Sequence, residues 1–207
     1  RSDFNQIQLD AATIDTTAPV DAKSKSKDRR LKLLQFAAPA TDDQLRSLRD
    51  SGAEIVHYIP QNAYLVWVPT KTIADKIAKR AKSPRNDIQY FENYQARHAI
   101  DPALKDKRKR ADSLRVVVQL FNFGATNEGP QISESLRDIY SLATNEFRGA
   151  QKVLDDRYTN LYLEIPSARL EDLASVPGVA WVEYHRERTL HGERQGQLMA
   201  NNTTTGG

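Results

Sequence analysis

Few side chains in this sequence are suited to chemistry, and they do not cluster. There is no cysteine, which removes disulfides and thiolate metal sites. The four histidines, His57, His98, His185 and His191, are scattered and show no ligand spacing. No cofactor and no metal are expected. What remains is recognition chemistry near the C-terminus. The run "VAWVEYHRE" (179–187) carries Trp181 and Tyr184, amphipathic rings that serve interfaces well. It also carries Glu183 and Glu187, carboxylates able to sit at the N-termini of a partner's helices. The polar stretch "RTLHGERQGQ" follows directly and has no apolar face to bury. A strand that feeds such a segment implies that something else holds the segment. Two weaker signals stand apart. "KDKRKR" (105–110) reads as a site for a dibasic-cleaving protease or, more simply, as a solvated linker. "NNTTT" holds overlapping Asn-x-Thr sequons at Asn201 and Asn202, which matter only in a eukaryotic secretory pathway.

The scaffold for these residues must be built from small units. The chain has 207 residues, of which 39% are hydrophobic and 28% charged. That balance suits small domains joined by polar linkers. A net charge of +3 is too small to argue for a nucleic-acid partner, and none is expected. No apolar run approaches the ~18 residues of a membrane span, so no membrane partner is expected either. The opening "RSDFNQIQLD" lacks the basic start and apolar core of a signal peptide.

Residues 1–30 end in "DAKSKSKDRR" and read as a mostly disordered leader. A first repeat follows over 31–100. "LKLLQFAA" (31–38) has strand length and composition. Thr41 and Gln44 form a capping box for a helix that carries Leu45 and Leu48 and stops at Gly52. "AEIVHYIP" and "AYLVWVP" make a hairpin around Gln61 and Asn62. "KTIADKIAKRAKS" is a second helix and "DIQYFENYQARHAI" a last strand. A basic linker spans 101–112, and the order then repeats over 113–190. "LRVVVQLFNF" is a strand. "QISESLRDIYSLA" is a helix with Ile132, Leu136 and Ile139 on one face. "AQKVLDD" and "NLYLEIP" are hairpin strands. "SARLEDLASV" is a helix capped by Ser167 and closed by Pro177-Gly178, and "VAWVEYHRE" is the final strand. The fold class is α+β: two tandem βαββαβ units, each an antiparallel sheet with two helices on one face.

Such a sheet leaves its other face open. Aromatics recur along the strands, Tyr64 with Trp67, Tyr90 with Tyr94, Trp181 with Tyr184. An open face this rich in rings calls for a partner, unless the two repeats cover each other.

The ordered motifs carry a resemblance. "VPGVAWVEYHRE" resembles the last strand of the inhibitory prodomain of subtilisin-like serine proteases, where it precedes an extended tail. "LQFAAP…LRSLRDSGAEIVHYIPQNAYLVWVP" resembles the first prodomain half of the larger subtilases, and "GERQGQLMANN" the opening of their mature region. The likeness covers roughly residues 31–202. It implies ferredoxin-like prodomain folds in tandem. It also implies a secreted precursor whose prodomain helps its cognate subtilisin-like catalytic domain to fold and then blocks its active site. By the family's spacing the processing junction falls near His191-Gly192. Arg188, Thr189, Leu190 and His191 would then lie in the protease cleft. Trp181, Glu183, Tyr184 and Glu187 would form the protease-facing surface, and 191–207 would be the tail and the start of the mature region. No catalytic residue is expected in the chain. No Asp-Ser-Gly or Asp-Thr-Gly ends a strand, and His-Gly-Thr or Gly-Thr-Ser segments are absent. Two rival readings remain. One is a free-standing subtilase inhibitor. The other is a tandem RNA-recognition module, although neither hairpin strand carries the basic-Gly-aromatic pattern of that fold.

Overall fold

The computed structural model describes residues 5–18, 29–83, 87–123, 130–154 and 156–186. The part of the expected leader that is described is ordered. Strands β1 (Gln6–Gln8) and β2 (Thr13–Asp15) pair antiparallel, with Ile7 opposite Ile14. Ile7 is completely buried. Strands of three residues give almost no sequence periodicity, and a two-stranded hairpin is not stable alone. This one exists because a sheet supplies the surface beneath it.

That sheet is built from β3 (Leu31–Phe36), β4 (Glu54–Ile59), β5 (Ala63–Trp67) and β6 (Ile88–Asn93). Its helices start where side-chain caps dictate. For α1 (Asp42–Asp50), the Thr41 amide donates to Gln44 Oε1 at 2.8 Å and the Gln44 amide donates to Thr41 Oγ1 at 3.3 Å. For α2 (Lys71–Ala81), Thr70 Oγ1 accepts the amide of Ile73. The β4–β5 turn holds Gln61 and Asn62 at φ 69° and 60°, the left-handed conformations a tight hairpin needs.

The linker then folds. Asp101 caps α3 (Pro102–Lys107) by accepting the Ala103 amide at 2.8 Å, and Leu104 is buried. The second sheet comprises β7 (Ser113–Phe121), β8 (Asn145–Val153), β9 (Tyr158–Pro166) and β10 (Val179–Tyr184). Its helices are α4 (Pro130–Leu142) and α5 (Leu170–Ser175). Strand β8 begins five residues before the expected start at Ala150. Register shifts around Arg148 interrupt its alternation, so no period-2 pattern marks it. Ser167 does not cap a helix by its side chain. Residues Ser167–Arg169 form a 3₁₀ turn, and the Ser167 hydroxyl donates to the Ala111 carbonyl, tying the turn to the linker.

Both sheets have the same antiparallel order, β4-β5-β3-β6 and β8-β9-β7-β10. In each, the strand that opens the unit is central and lies beside the strand that closes it. Leu34, Phe36 and Val66 of the first sheet meet Leu48 of α1 and Ile77 of α2 in one core. Leu114, Val116, Val118, Leu161 and Leu163 of the second sheet meet Ile139 of α4 and Leu173 of α5 in another. That second core continues across the molecule. It takes in Leu31, Leu33, Leu65, Trp67 and Tyr94, the residues on the helix-free face of the first sheet.

The units are joined by more than the linker. Trp67 stacks on Phe123 with ring centroids 3.9 Å apart. One bulge in each sheet, at Val56 in edge strand β4 and at Ala180 in edge strand β10, is bonded from the other unit. Arg157 donates to the carbonyls of Ile55 and Val56 at 2.8 and 2.9 Å, and Tyr94 Oη donates to Ala180 O at 3.0 Å. Ile100 makes a parallel bridge to Val182, beside the outer edge of β10. Gly178 at φ 84° permits the close approach of Phe123, because a Cβ there would lie 2.8 Å from the ring. Among the described residues no helix is long and apolar enough to cross a membrane.

Candidate functional site

The two helix-free faces have different fates. That of the first sheet is filled. The β1–β2 hairpin contributes Ile7 and Ile14, and the far end of the second sheet contributes Phe121, Phe123 and Tyr158. Gln35, near the end of the inner strand β3, is wholly buried there and fully bonded. Its Nε2 donates to the carbonyls of Gln6 and Gln61 at 3.0 and 2.9 Å, and its Oε1 accepts from Gln89 Nε2 at 2.6 Å.

The corresponding face of the second sheet carries neither a hairpin nor a helix among the described residues. Strand register sets its members. Trp181 and Glu183 of β10 lie beside Gln119 and Val117 of β7, which lie beside Asn160 and Tyr162 of β9. Val117, Tyr162 and Trp181 are only 7, 8 and 8% exposed, yet they belong to neither core. Ring and guanidinium contacts run along the same face. Phe147 and Tyr162 meet edge to face at 6.2 Å, and His185 lies 4.8 Å from Phe147. The Arg115 guanidinium sits 5.3 Å above Phe147, and that of Arg148 sits 4.8 Å above Tyr162. Gln151 bridges the last pair, its oxygen accepting from Arg148 Nη2 at 2.9 Å and its nitrogen donating to Tyr162 Oη at 3.0 Å.

The polar centre of this face is incomplete. Gln119 Nε2 lies 3.5 Å from Asn160 Oδ1, the outer limit of a hydrogen bond. Gln119 Oε1 is buried and has no donor among the described residues. At the β10 side, burial pushes the Glu183 carboxyl up, helped by the nearby Asp101 charge and opposed by Arg186.

Of the residues expected to face a partner, Trp181 and Glu183 are on this face. Tyr184 is not. It lies beside Val116 on the helix side, with Lys107 Nζ 3.9 Å over its ring. Side chains alternate along a strand, so residues three apart such as Trp181 and Tyr184 point to opposite faces. The same parity separates Tyr64, in the helix-side core, from Trp67 on the covered face. Glu187, Arg188, Thr189, Leu190, His191, Gly192, Asn201 and Asn202 lie outside the described residues. Phe147, Tyr162, Arg115 and Arg148 were missed. Two nine-residue strands with irregular alternation hid which residues share a face.

The tripeptide Asp50-Ser51-Gly52 is the C-terminal end of α1, with Ser51 as its cap. Among the described residues no group of three or more His, Asp or Glu side chains is placed to hold a metal ion. A cavity of about 120 Å³ opens at the seam, lined by Arg29, Arg30 and residues 175–178. Burial lowers the Arg29 guanidinium to about 10, and its Nη2 donates to the Ala174 carbonyl at the end of α5.

Residues 8–95 match a family model described as a domain of unknown function (DUF8729). No curated protein and no solved structure matches the chain. The matched stretch begins inside the hairpin and ends just past β6. The match takes in the end of the hairpin with the first sheet, and the second sheet lies beyond it.

Proposed function

We propose that the chain is the tandem prodomain of a subtilisin-like serine protease precursor. In this reading both units are ferredoxin-like βαββαβ folds. The second docks on the cognate catalytic domain, assists its folding and inhibits it. The chain itself is not an enzyme, and the precursor is secreted. The observation that carries the reading is the position of β10. It is the last strand among the described residues, it carries Trp181 and Glu183 on the helix-free face, and in the sequence Glu187–His191 follows closely after it. An extended segment can add to a protease edge with alternate side chains in pockets. Anchoring its start on a folded sheet reduces the ordering cost, and the two contacts reinforce each other.

The chaperone role has a kinetic basis. Subtilase domains are rich in long-range parallel-strand contacts and fold slowly. A partner that binds only the native arrangement stabilises it.

The test is an inhibition titration of active subtilisin-like proteases and one unrelated serine protease. The full chain and a chain ending at Arg186 are compared. Tight inhibition of a subtilase by the full chain, weakened at least about a hundredfold without the tail, is expected. Equal inhibition by both, or inhibition of the unrelated protease alone, would sink the tail assignment. A free-standing inhibitor would behave identically, and the reading frame beyond Gly207 separates the two. One observation favours the RNA-binding rival, namely the guanidinium-capped rings Phe147 and Tyr162, a pairing that stacks bases well. That rival requires RNA binding with a steep salt dependence.

A further inference from the structure

The two sheets place a glutamine at the same point, on the helix-free side of the central strand, next to an aromatic residue of the closing strand. Gln35 lies beside Tyr90, and Gln119 beside Trp181. In the first sheet, main-chain carbonyls satisfy the glutamine, one from the hairpin and one from the β4–β5 turn. In the second sheet the same group is left with a buried oxygen that no donor among the described residues reaches and a nitrogen with one long contact. A buried acceptor without a donor destabilises a protein, and the deficit is removed when a donor arrives.

We infer that the second face is a docking site for an extended peptide segment of the partner, read through its main chain by Gln119. The inference rests on the proposed partner-binding role of this face and specifies what binds there. An extended residue presents an N–H and a C=O on one edge, which matches the Oε1 acceptor and Nε2 donor of a single carboxamide. The neighbouring Val117, Tyr162 and Trp181, 7, 8 and 8% exposed, take one apolar side chain once Arg148 swings off the Tyr162 ring. The charges set the rest. Arg115 pairs with Glu164 at 3.9 Å, whereas Arg148, over the Tyr162 ring near β8, has no carboxylate within 4.0 Å among the described residues. On the β10 side Glu183 places a carboxylate with Asp101 near it and Arg186 opposing. The segment therefore carries a carboxylate over Arg148. The arginine side chains that screen the rings are long and flexible enough to swing aside.

The experiment uses the full chain and a blocked hexapeptide of alternating valine and threonine with a glutamate at one end. Binding is followed by nuclear magnetic resonance through the side-chain amide of Gln119 and the indole of Trp181. Three comparisons are made: a peptide N-methylated on its inner amides, a peptide with glutamine for glutamate, and the Gln119→Leu variant. Gln119→Leu removes the unpaired acceptor and keeps the shape, so it folds. Its melting temperature, expected to rise, reports that directly. The expected result is saturable binding at millimolar peptide. It should weaken about tenfold with N-methylation and with Gln119→Leu, and several-fold with loss of the glutamate. Binding that ignores N-methylation or Gln119→Leu would overturn main-chain reading, and so would no shift at either reporter. Loss of protease inhibition without the tail, alongside failure of this peptide assay, would leave the prodomain reading standing and remove this inference.

Discussion

The helix-free faces of the two sheets are the same surface solved in two ways. In the first, Trp67 is 1% exposed and stacked on Phe123, and Gln35 has every polar atom bonded. In the second, Trp181 belongs to neither core, and Gln119 keeps an oxygen with no donor among the described residues. Strand order and chain direction are shared, so topology does not explain the difference. What differs is what comes before and after each sheet. The hairpin and the 121–123 corner reach the first face, and no described element reaches the second. A face is a core or a site according to what the rest of the chain lays on it.

The largest effect expected from breaking this comparison comes from the tryptophans. Trp67→Ala opens a cavity between the units and should cost about 3–5 kcal/mol in urea unfolding. Trp181→Ala should cost at most about 2 kcal/mol, since its neighbours can collapse onto it. Equal losses would mean that the second face is as integral to folding as the first.

Acid should strain the join between the units. His98, buried beside Tyr94, accepts the Gln95 amide at Nδ1. Burial lowers it from 6.5 to about 4, reinforced by the charges of Arg97, Arg29 and Lys105. The folded protein thus resists protonation that the unfolded chain accepts. Its contribution is present above pH 6.5 and is lost as the pH falls towards 4, up to about 3 kcal/mol. Asp10 and Glu183, whose carboxyls burial raises, act in the opposite sense over acid pH. The difference between wild type and His98→Gln isolates the histidine. A variant with an unchanged pH–stability slope would refute the assignment.

The glutamines sharpen the contrast further. Gln35→Leu strands the carbonyls of Gln6 and Gln61 and should destabilise by about 2–3 kcal/mol. Gln119→Leu should be neutral or stabilise by about 1 kcal/mol in the same assay. Opposite signs at equivalent positions would identify one face as satisfied and the other as waiting.

The most local effect belongs to the hairpin. Ile7→Ala should cost about 2 kcal/mol and raise amide exchange over β1, β2 and Gln35, while leaving the second sheet unchanged. Exchange changes at Tyr162 or Trp181 would show the two faces to be coupled.

Much of the fold was legible in local chemistry. The Thr41–Gln44 box, the Gln61–Asn62 turn and the spacing of Ile132, Leu136 and Ile139 each act within a few residues, so element order followed from them. Three things were not legible. The β1–β2 hairpin depends on a surface supplied by residues far along the chain. The start of β8 is blurred by shifts that abolish alternation. The facing of Tyr184 follows strand parity, which a count of aromatics does not reveal.

The sequence by itself determined the alternation of strands and helices, and its two rounds of that order led to two antiparallel sheets. These depend on local periodicity, caps and composition. Only the tertiary structure decided that the first face is closed and the second is left to its own side chains. It also decided that one glutamine is satisfied while its counterpart is not. Both outcomes depend on which distant segment, Gln6 or Phe123 in one case and none described in the other, comes to lie on a sheet that local chemistry had already built.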